Sequence, residues 1–148
     1  MLRVRCQTTV TLDDKGRIAL PAVLRRALTL NDVEALVLTF HQGAVWGWTP
    51  EDFERTIEAP LLEQDPFNPQ VLQFSRAILA PAQEVEVDRQ GRVRVPPMLR
   101  DLAGLDREVV VNSLINRIEI WDKAAWDKHF QSCLDAVPAL PGMPRSAG

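Results

Sequence analysis

Residues 3–12 are rich in β-branched types and partly alternate between polar and apolar, which predicts a first strand with one buried face. Asp13 to Gly16 then reads as a tight turn, and Arg17 to Leu20 as a short strand. Pro21 fits the first position of a helix, because its missing N–H would be unpaired there anyway. That helix, predicted to reach about Leu28, places Leu24, Ala27 and Leu28 on one face and leaves Arg25 and Arg26 on the other. Ala35–Phe40 and Ala44–Trp48 follow as two strands joined by a hairpin at His41 to Gly43. Thr49, Pro50 and Asp52 form a helix start close to a capping box, with Pro60 expected to end or kink the helix that carries Phe53, Ile57 and Leu61. A second helix begins at Asn68 and Pro69 and is stopped by Pro81.

The same plan then starts again. Gln83–Val87 is a strand, Asp88 to Gly91 a turn, Arg92–Val95 a strand and Pro96–Leu102 a short helix with Gly104 suited to its C-terminal cap. At a shift of 75 residues Asp13, Gly16, Arg17, Pro21, Leu24 and Arg25 coincide with Asp88, Gly91, Arg92, Pro96, Leu99 and Arg100. Glu108–Asn112 and Arg117–Trp121 repeat the hairpin pair, and Asp122 is expected to cap a final helix carrying Ala125, Trp126, His129, Phe130 and Cys133. The chain therefore divides into a first repeat with two helices (1–80), a second with one C-terminal helix (81–136), and a tail (137–148) with little to bury, expected to be disordered. Each repeat is marginal in size alone, so the two are expected to share one core.

Charge changes this picture in one respect. The net charge of −3 argues against a nucleic-acid partner only as an average. Residues 1–30 carry six basic side chains against two acidic, whereas residues 31–84 carry nine acidic against two basic. Such asymmetry fits one basic face on an acidic body, as steering toward phosphate requires; chance clustering in a small protein is the bland alternative.

Other chemistry is thin. Cys6 and Cys133 lie at opposite ends without metal-ligand spacing, His41 and His129 are isolated, and neither a nucleophile motif nor a phosphate-cradling glycine loop is present. No enzyme, metal or cofactor is expected. No apolar signal stretch follows Met1, and the longest uncharged run, Ala35 to Pro50, is too short to span a bilayer. A soluble cytoplasmic protein without a membrane partner is expected. Trp48 and Trp121 occupy equivalent strand ends and are expected in the core, not on a stacking platform for single strands.

The candidate site is the repeated Asp-x-x-x-Arg turn. Asp13 and Gly16, with Asp88 and Gly91, would shape the turns, while Lys15, Arg17, Arg89 and Arg92 would meet phosphate oxygens or guanine edges. Arg3 and Arg5 would extend this basic strip if they share a strand face, or else be merely solvated. Arg25 joins them on one view and is a helix-end charge beside Arg26 on another. Because Gln90 stands where the first turn has Lys15, the first repeat is expected to contribute more to binding.

On these residues the chain resembles the MraZ family. The resemblance spans residue 4 to about 130 and rests on Leu12 to Arg17 with Pro21 and Arg25, Asp88 to Arg92 with Pro96 to Arg100, Ala103 to Leu105, and Arg117 to Trp121. It implies an α+β fold: a pseudo-twofold, swapped-hairpin AbrB-like β-barrel built from the two repeats, with peripheral helices. It also implies a nucleoid-associated transcriptional regulator that assembles as a homo-oligomeric ring and binds direct repeats in double-stranded DNA, upstream of the division and cell-wall gene cluster. The Asp-x-x-x-Arg loop is that family's DNA-contacting region. A protein-interaction barrel, antitoxin-like or scaffolding and with a minor DNA role, is the alternative.

Overall fold

The computed structural model describes residues 1–144. In the first repeat it holds β1 (Arg5–Thr11), β2 (Arg17–Ala19), α1 (Ala22–Leu30), β3 (Ala35–His41) and β4 (Ala44–Trp48). A helical segment follows, with α2 (Pro50–Phe53), a π turn (Glu54–Glu58), α3 (Ala59–Leu62), α4 (Pro69–Phe74) and a second π turn (Ser75–Leu79). The second repeat runs β5 (Gln83–Glu86), β6 (Arg92–Arg94), α5 (Pro97–Ala103), β7 (Glu108–Leu114), β8 (Ile118–Asp122) and α6 (Lys123–Asp135).

Six strands form one antiparallel sheet in the order β1-β7-β8-β4-β3-β5, and β2 pairs with β6 in a separate two-stranded ribbon. Exchanging the repeats, β1 for β5, β3 for β7 and β4 for β8, returns the same order read backwards, which is the mark of a pseudo-twofold axis. Each edge strand belongs to the other repeat's hairpin: β1 pairs with β7, and β5 with β3. The expected barrel is not closed by hydrogen bonds, since β1 and β5 remain edges. Each ribbon strand spans three residues, and the pairing ends where the chain reaches Pro21 or Pro96, which has no N–H to donate.

A common apolar cluster draws on both repeats, with Ile18, Leu20, Leu24, Leu28, Leu36, Leu38 and Val45 packed with Val93, Val95, Leu99, Val109, Val111, Ile118 and Ile120. On the other face of the sheet Trp48 packs with Val37 and Phe53, while Trp121 packs with Ala44, Val110 and Trp126. Trp48 and Trp121 are buried, as expected of equivalent strand ends.

Several boundaries differ from expectation for local reasons. Pro21 and Pro96 have extended ψ angles (145° and 144°) and precede their helices instead of opening them. Thr49 caps α2 by accepting from Asp52 N–H at 3.1 Å, as its position suggested. Asp122 does not cap α6 with its side chain, which is turned to accept from Asp106 N–H at 3.1 Å. Pro60 does not end its helix, which continues to Leu62. Each π turn closes on the residue just before a proline: Ala59 N–H on Glu54 C=O, and Ala80 N–H on Ser75 C=O at 3.1 Å. The wider turn gives the proline ring the room that an α turn denies it. Gly104 caps α5 in the left-handed conformation, φ 60°. Residues 137–144 are exposed and form no helix or strand; the rest of the expected tail, 145–148, lies outside the described residues.

Candidate nucleic-acid interface

Both turns are built around one carboxylate. Asp13 Oδ1 accepts from the N–H groups of Lys15 and Arg17, each at 2.9 Å, and Oδ2 accepts from Arg17 Nε at 2.8 Å. The loop is closed by Gly16 N–H to Asp13 C=O and by Asp13 N–H to Arg17 C=O, both 2.9 Å. In the second repeat Asp88 Oδ1 accepts from Gln90 and Arg92 N–H at 2.9 Å, and Oδ2 from Arg92 Nε at 3.0 Å. Gly16 and Gly91 have φ angles of 78° and 74°, a region closed to most side chains by Cβ sterics. The Arg17 backbone N–H, with further help from its guanidinium and the Lys15 N–H, holds the Asp13 carboxyl below the usual aspartate range; Arg92 and Gln90 do the same for Asp88.

The consequence for arginine is geometric. With Nε tied to the aspartate, the guanidinium is fixed in direction and its two terminal nitrogens have no protein partner among the described residues. Both arginines stand on the β2–β6 ribbon, where Arg17 lies opposite Arg94, Ile18 opposite Val93 and Ala19 opposite Arg92. Ile18 and Val93 turn inward and are each 1% exposed, so Arg17, Ala19, Arg92 and Arg94 share the outward face. The two turns stand at opposite ends of this ribbon, about 10 Å of strand apart. Lys15 and Arg89 are exposed at their tips.

Arg94, exposed on the candidate face, is the residue that the sequence reading passed over. The signal was the alternation Arg92, Val93, Arg94, but its meaning depends on a partner strand 75 residues earlier. Its equivalent in the first repeat is Ala19, so the ribbon face takes two arginines from the second repeat and one from the first. The expected bias toward the first repeat has no counterpart on this face.

Arg3 and Arg5 are not brought to the ribbon. Arg5 pairs with Leu114 at the far end of β1, about 20 Å of strand from the first turn, and Arg3 precedes the strand with φ 55°. Arg25 is exposed on α1 and meets the second turn, donating from a terminal nitrogen to Gln90 C=O at 3.3 Å. A groove of about 950 Å³ lies beside it, lined by Arg25, Arg26 and Arg89 but also by Glu34, Glu84 and Glu86, a mixed lining poorly suited to a polyanion.

Among the described residues no group of three or more His, Cys, Asp or Glu is placed to hold a metal, and no helix is long and apolar enough to cross a membrane. His41 meets the Trp46 ring edge-on and His129 stacks on Trp121, so both histidines are packing elements.

The family model described as "MraZ protein, putative antitoxin-like" matches residues 5–70 and 78–137. A protein of Syntrophobacter fumaroxidans named transcriptional regulator MraZ is 35% identical over 136 residues, covering 92% of this chain and 90% of its own length. Proteins of the same name from Shewanella denitrificans and Nitrosomonas eutropha are 38% and 37% identical, covering 84% and 93% of this chain and 82% and 97% of their own. These relatives are named as regulators and not as enzymes. With both repeats matched and most of each relative covered, the chain belongs to the MraZ family.

Proposed function

We propose that the chain is a sequence-specific transcriptional regulator that binds double-stranded DNA through the β2–β6 ribbon and its two turns. The observation that carries this reading is the outward ribbon face, on which two arginines are aimed by their own aspartates and a third, Arg94, lies directly opposite Arg17. A two-stranded antiparallel ribbon fits the major groove, where arginine pairs two-pronged with guanine and unpaired guanidinium nitrogens meet phosphate. The names of the relatives agree with it.

The finer parts of the proposal follow from the same arrangement. The exchanged edge strands and the ribbon support reading the fold as a variant of the AbrB-like swapped-hairpin arrangement, open at β1 and β5, with repeats at 1–80 and 81–136 sharing one core. An acidic chain binds DNA when several copies in a ring present their ribbons to successive direct repeats, since linked weak contacts multiply through effective concentration. Cytoplasmic, nucleoid-associated placement goes with that role.

The test is a mobility-shift series, over a range of salt, on DNA upstream of the chain's own gene. Arg17→Ala is expected to lose binding while keeping its thermal transition and assembly state. Unchanged shifts by that variant would refute the assignment. A second reading, an antitoxin-like or scaffolding partner, draws on the acidic helical segment, where Leu62 and Phe67 are 84% and 86% exposed. Binding indifferent to both sequence and salt would favour it.

A further inference from the structure

Each turn glycine is gripped by the opposite repeat. Gly16 C=O accepts from Val95 N–H at 2.8 Å, and Gly91 C=O from Leu20 N–H at 2.9 Å. The exposed side of each glycine is covered as well. A Cβ built on Gly16 would lie 2.7 Å from Arg100 Cζ and 3.0 Å from its Nε and Nη1. One built on Gly91 would lie 1.9 Å from Arg25 Cδ and 2.8 Å from Cγ. Arg25 and Arg100 are equivalent in the two repeats, each one residue beyond a fully buried leucine, Leu24 or Leu99, that anchors its helix.

We propose that Arg100 and Arg25 are positioning residues, each setting the DNA-facing turn of the other repeat. Arg100 lays its guanidinium on Gly16, and Arg25 lays its aliphatic stem on Gly91 and donates to Gln90 C=O. Neither is in an ion pair among the described residues, and Arg100 Nε is buried without a hydrogen-bond partner, so its contact with the turn is one of packing. A guanidinium accepts such a place when it fills a close-packed position that water cannot reach and that a smaller group would leave empty. The turn closed over it directs Arg17, because Gly16 N–H donates to the backbone carbonyl of Asp13, the residue whose carboxylate holds the Arg17 N–H and Nε. The direction of Arg17 therefore depends on the second repeat, and that of Arg92 on the first. Arg25, on the sequence a candidate for contacting DNA, is assigned to holding the site in place.

The DNA part of this inference rests on the proposed function; the packing part does not, and the test separates them. In the full chain without DNA, Arg100→Ala is expected to speed amide hydrogen exchange at Gly16 and Arg17 by roughly tenfold while sparing Gly91 and Arg92, and Arg25→Ala to do the reverse. Arg100→Met, which keeps the stem but lacks the guanidinium that lies on Gly16, should give a smaller rise in exchange confined to the same turn and serves if the alanine variant folds poorly. In mobility shifts, Arg100→Ala should be strongly non-additive with Arg17→Ala and additive with Arg92→Ala. Exchange that rises equally at both turns, or only in the variant's own repeat, would overturn the inference. So would additivity with both partners combined with unchanged exchange, the pattern of an arginine that touches DNA itself. If Arg17→Ala leaves binding intact, the DNA reading fails, and the exchange arm still decides the packing.

Discussion

At the residue scale the site is an aspartate that does three things with two oxygens. It holds its loop, fixes the following amides and points a guanidinium, and these bonds favour its ionised form. Because its folded pKa lies below the unfolded value, each aspartate contributes stability that is present above the unfolded aspartate pKa of about 3.9 and is lost as pH falls through the lowered folded value. Replacing both with asparagine, whose amide carries no titrating charge and would face Arg17 or Arg92 Nε with a donor in one orientation, removes that dependence. The Asp13→Asn, Asp88→Asn double variant is expected to melt lower than the parent near neutrality and to lose less on acidification below about pH 4. Thermal melts at descending pH check this; two parallel curves would show that the turns make no pH-linked contribution.

At the element scale, legibility depended on whether a feature is local. Both turns, the apolar face that carries Leu24, the Thr49 cap and the Gly104 cap were readable because each is decided within a few residues, and the repeat because its residues recur in order at a fixed shift. The two π turns were not, because the proline that follows each can end a helix as well as widen its turn, and neither was the diversion of Asp122 to Asp106, which answers to a loop packed beside it. The ribbon was the largest omission. Nothing near Arg94 announces that its strand pairs with residues 17–19, and without that pairing an outward arginine is one surface charge among many.

The pairing gives Arg94 a distinct signature. It lies directly opposite Arg17, and like charges facing across an antiparallel pair are unfavourable by roughly 0.2–1 kcal/mol. A phosphate oxygen between them would turn that cost into attraction. Arg94→Ala is therefore expected to leave the free protein as stable or more stable by up to about 1 kcal/mol, yet to weaken DNA binding and lower the salt slope by about one. Denaturant titration and a salt series of mobility shifts measure the two effects. Loss of stability with unchanged binding would remove Arg94 from the interface.

At the scale of the whole molecule the repeats are bound together by exchange and not by a boundary between two finished units. Of the buried residues in the common cluster, seven come from the first repeat and eight from the second. Fully burying each of the larger aliphatic side chains contributes about 1.5–3 kcal/mol, an amount that separation would forfeit many times over. Separation would also bare the β3 edge that β5 covers and the β4 edge that β8 covers, and leave β1 and β2 without partners. A chain of residues 1–80 should consequently show no cooperative thermal transition as a monomer. It folds only by pairing with another copy of itself, which the pseudo-twofold symmetry permits, or with residues 81–148. Mixing the two fragments should restore one cooperative transition and the amide protection of both turns, since each turn needs a strand and an arginine from the other fragment. Circular dichroism with sedimentation velocity on the separate and mixed fragments measures this. A monomeric, cooperatively folded 1–80 fragment with a protected Gly16 amide would contradict both the shared core and the grip of one repeat on the other's turn.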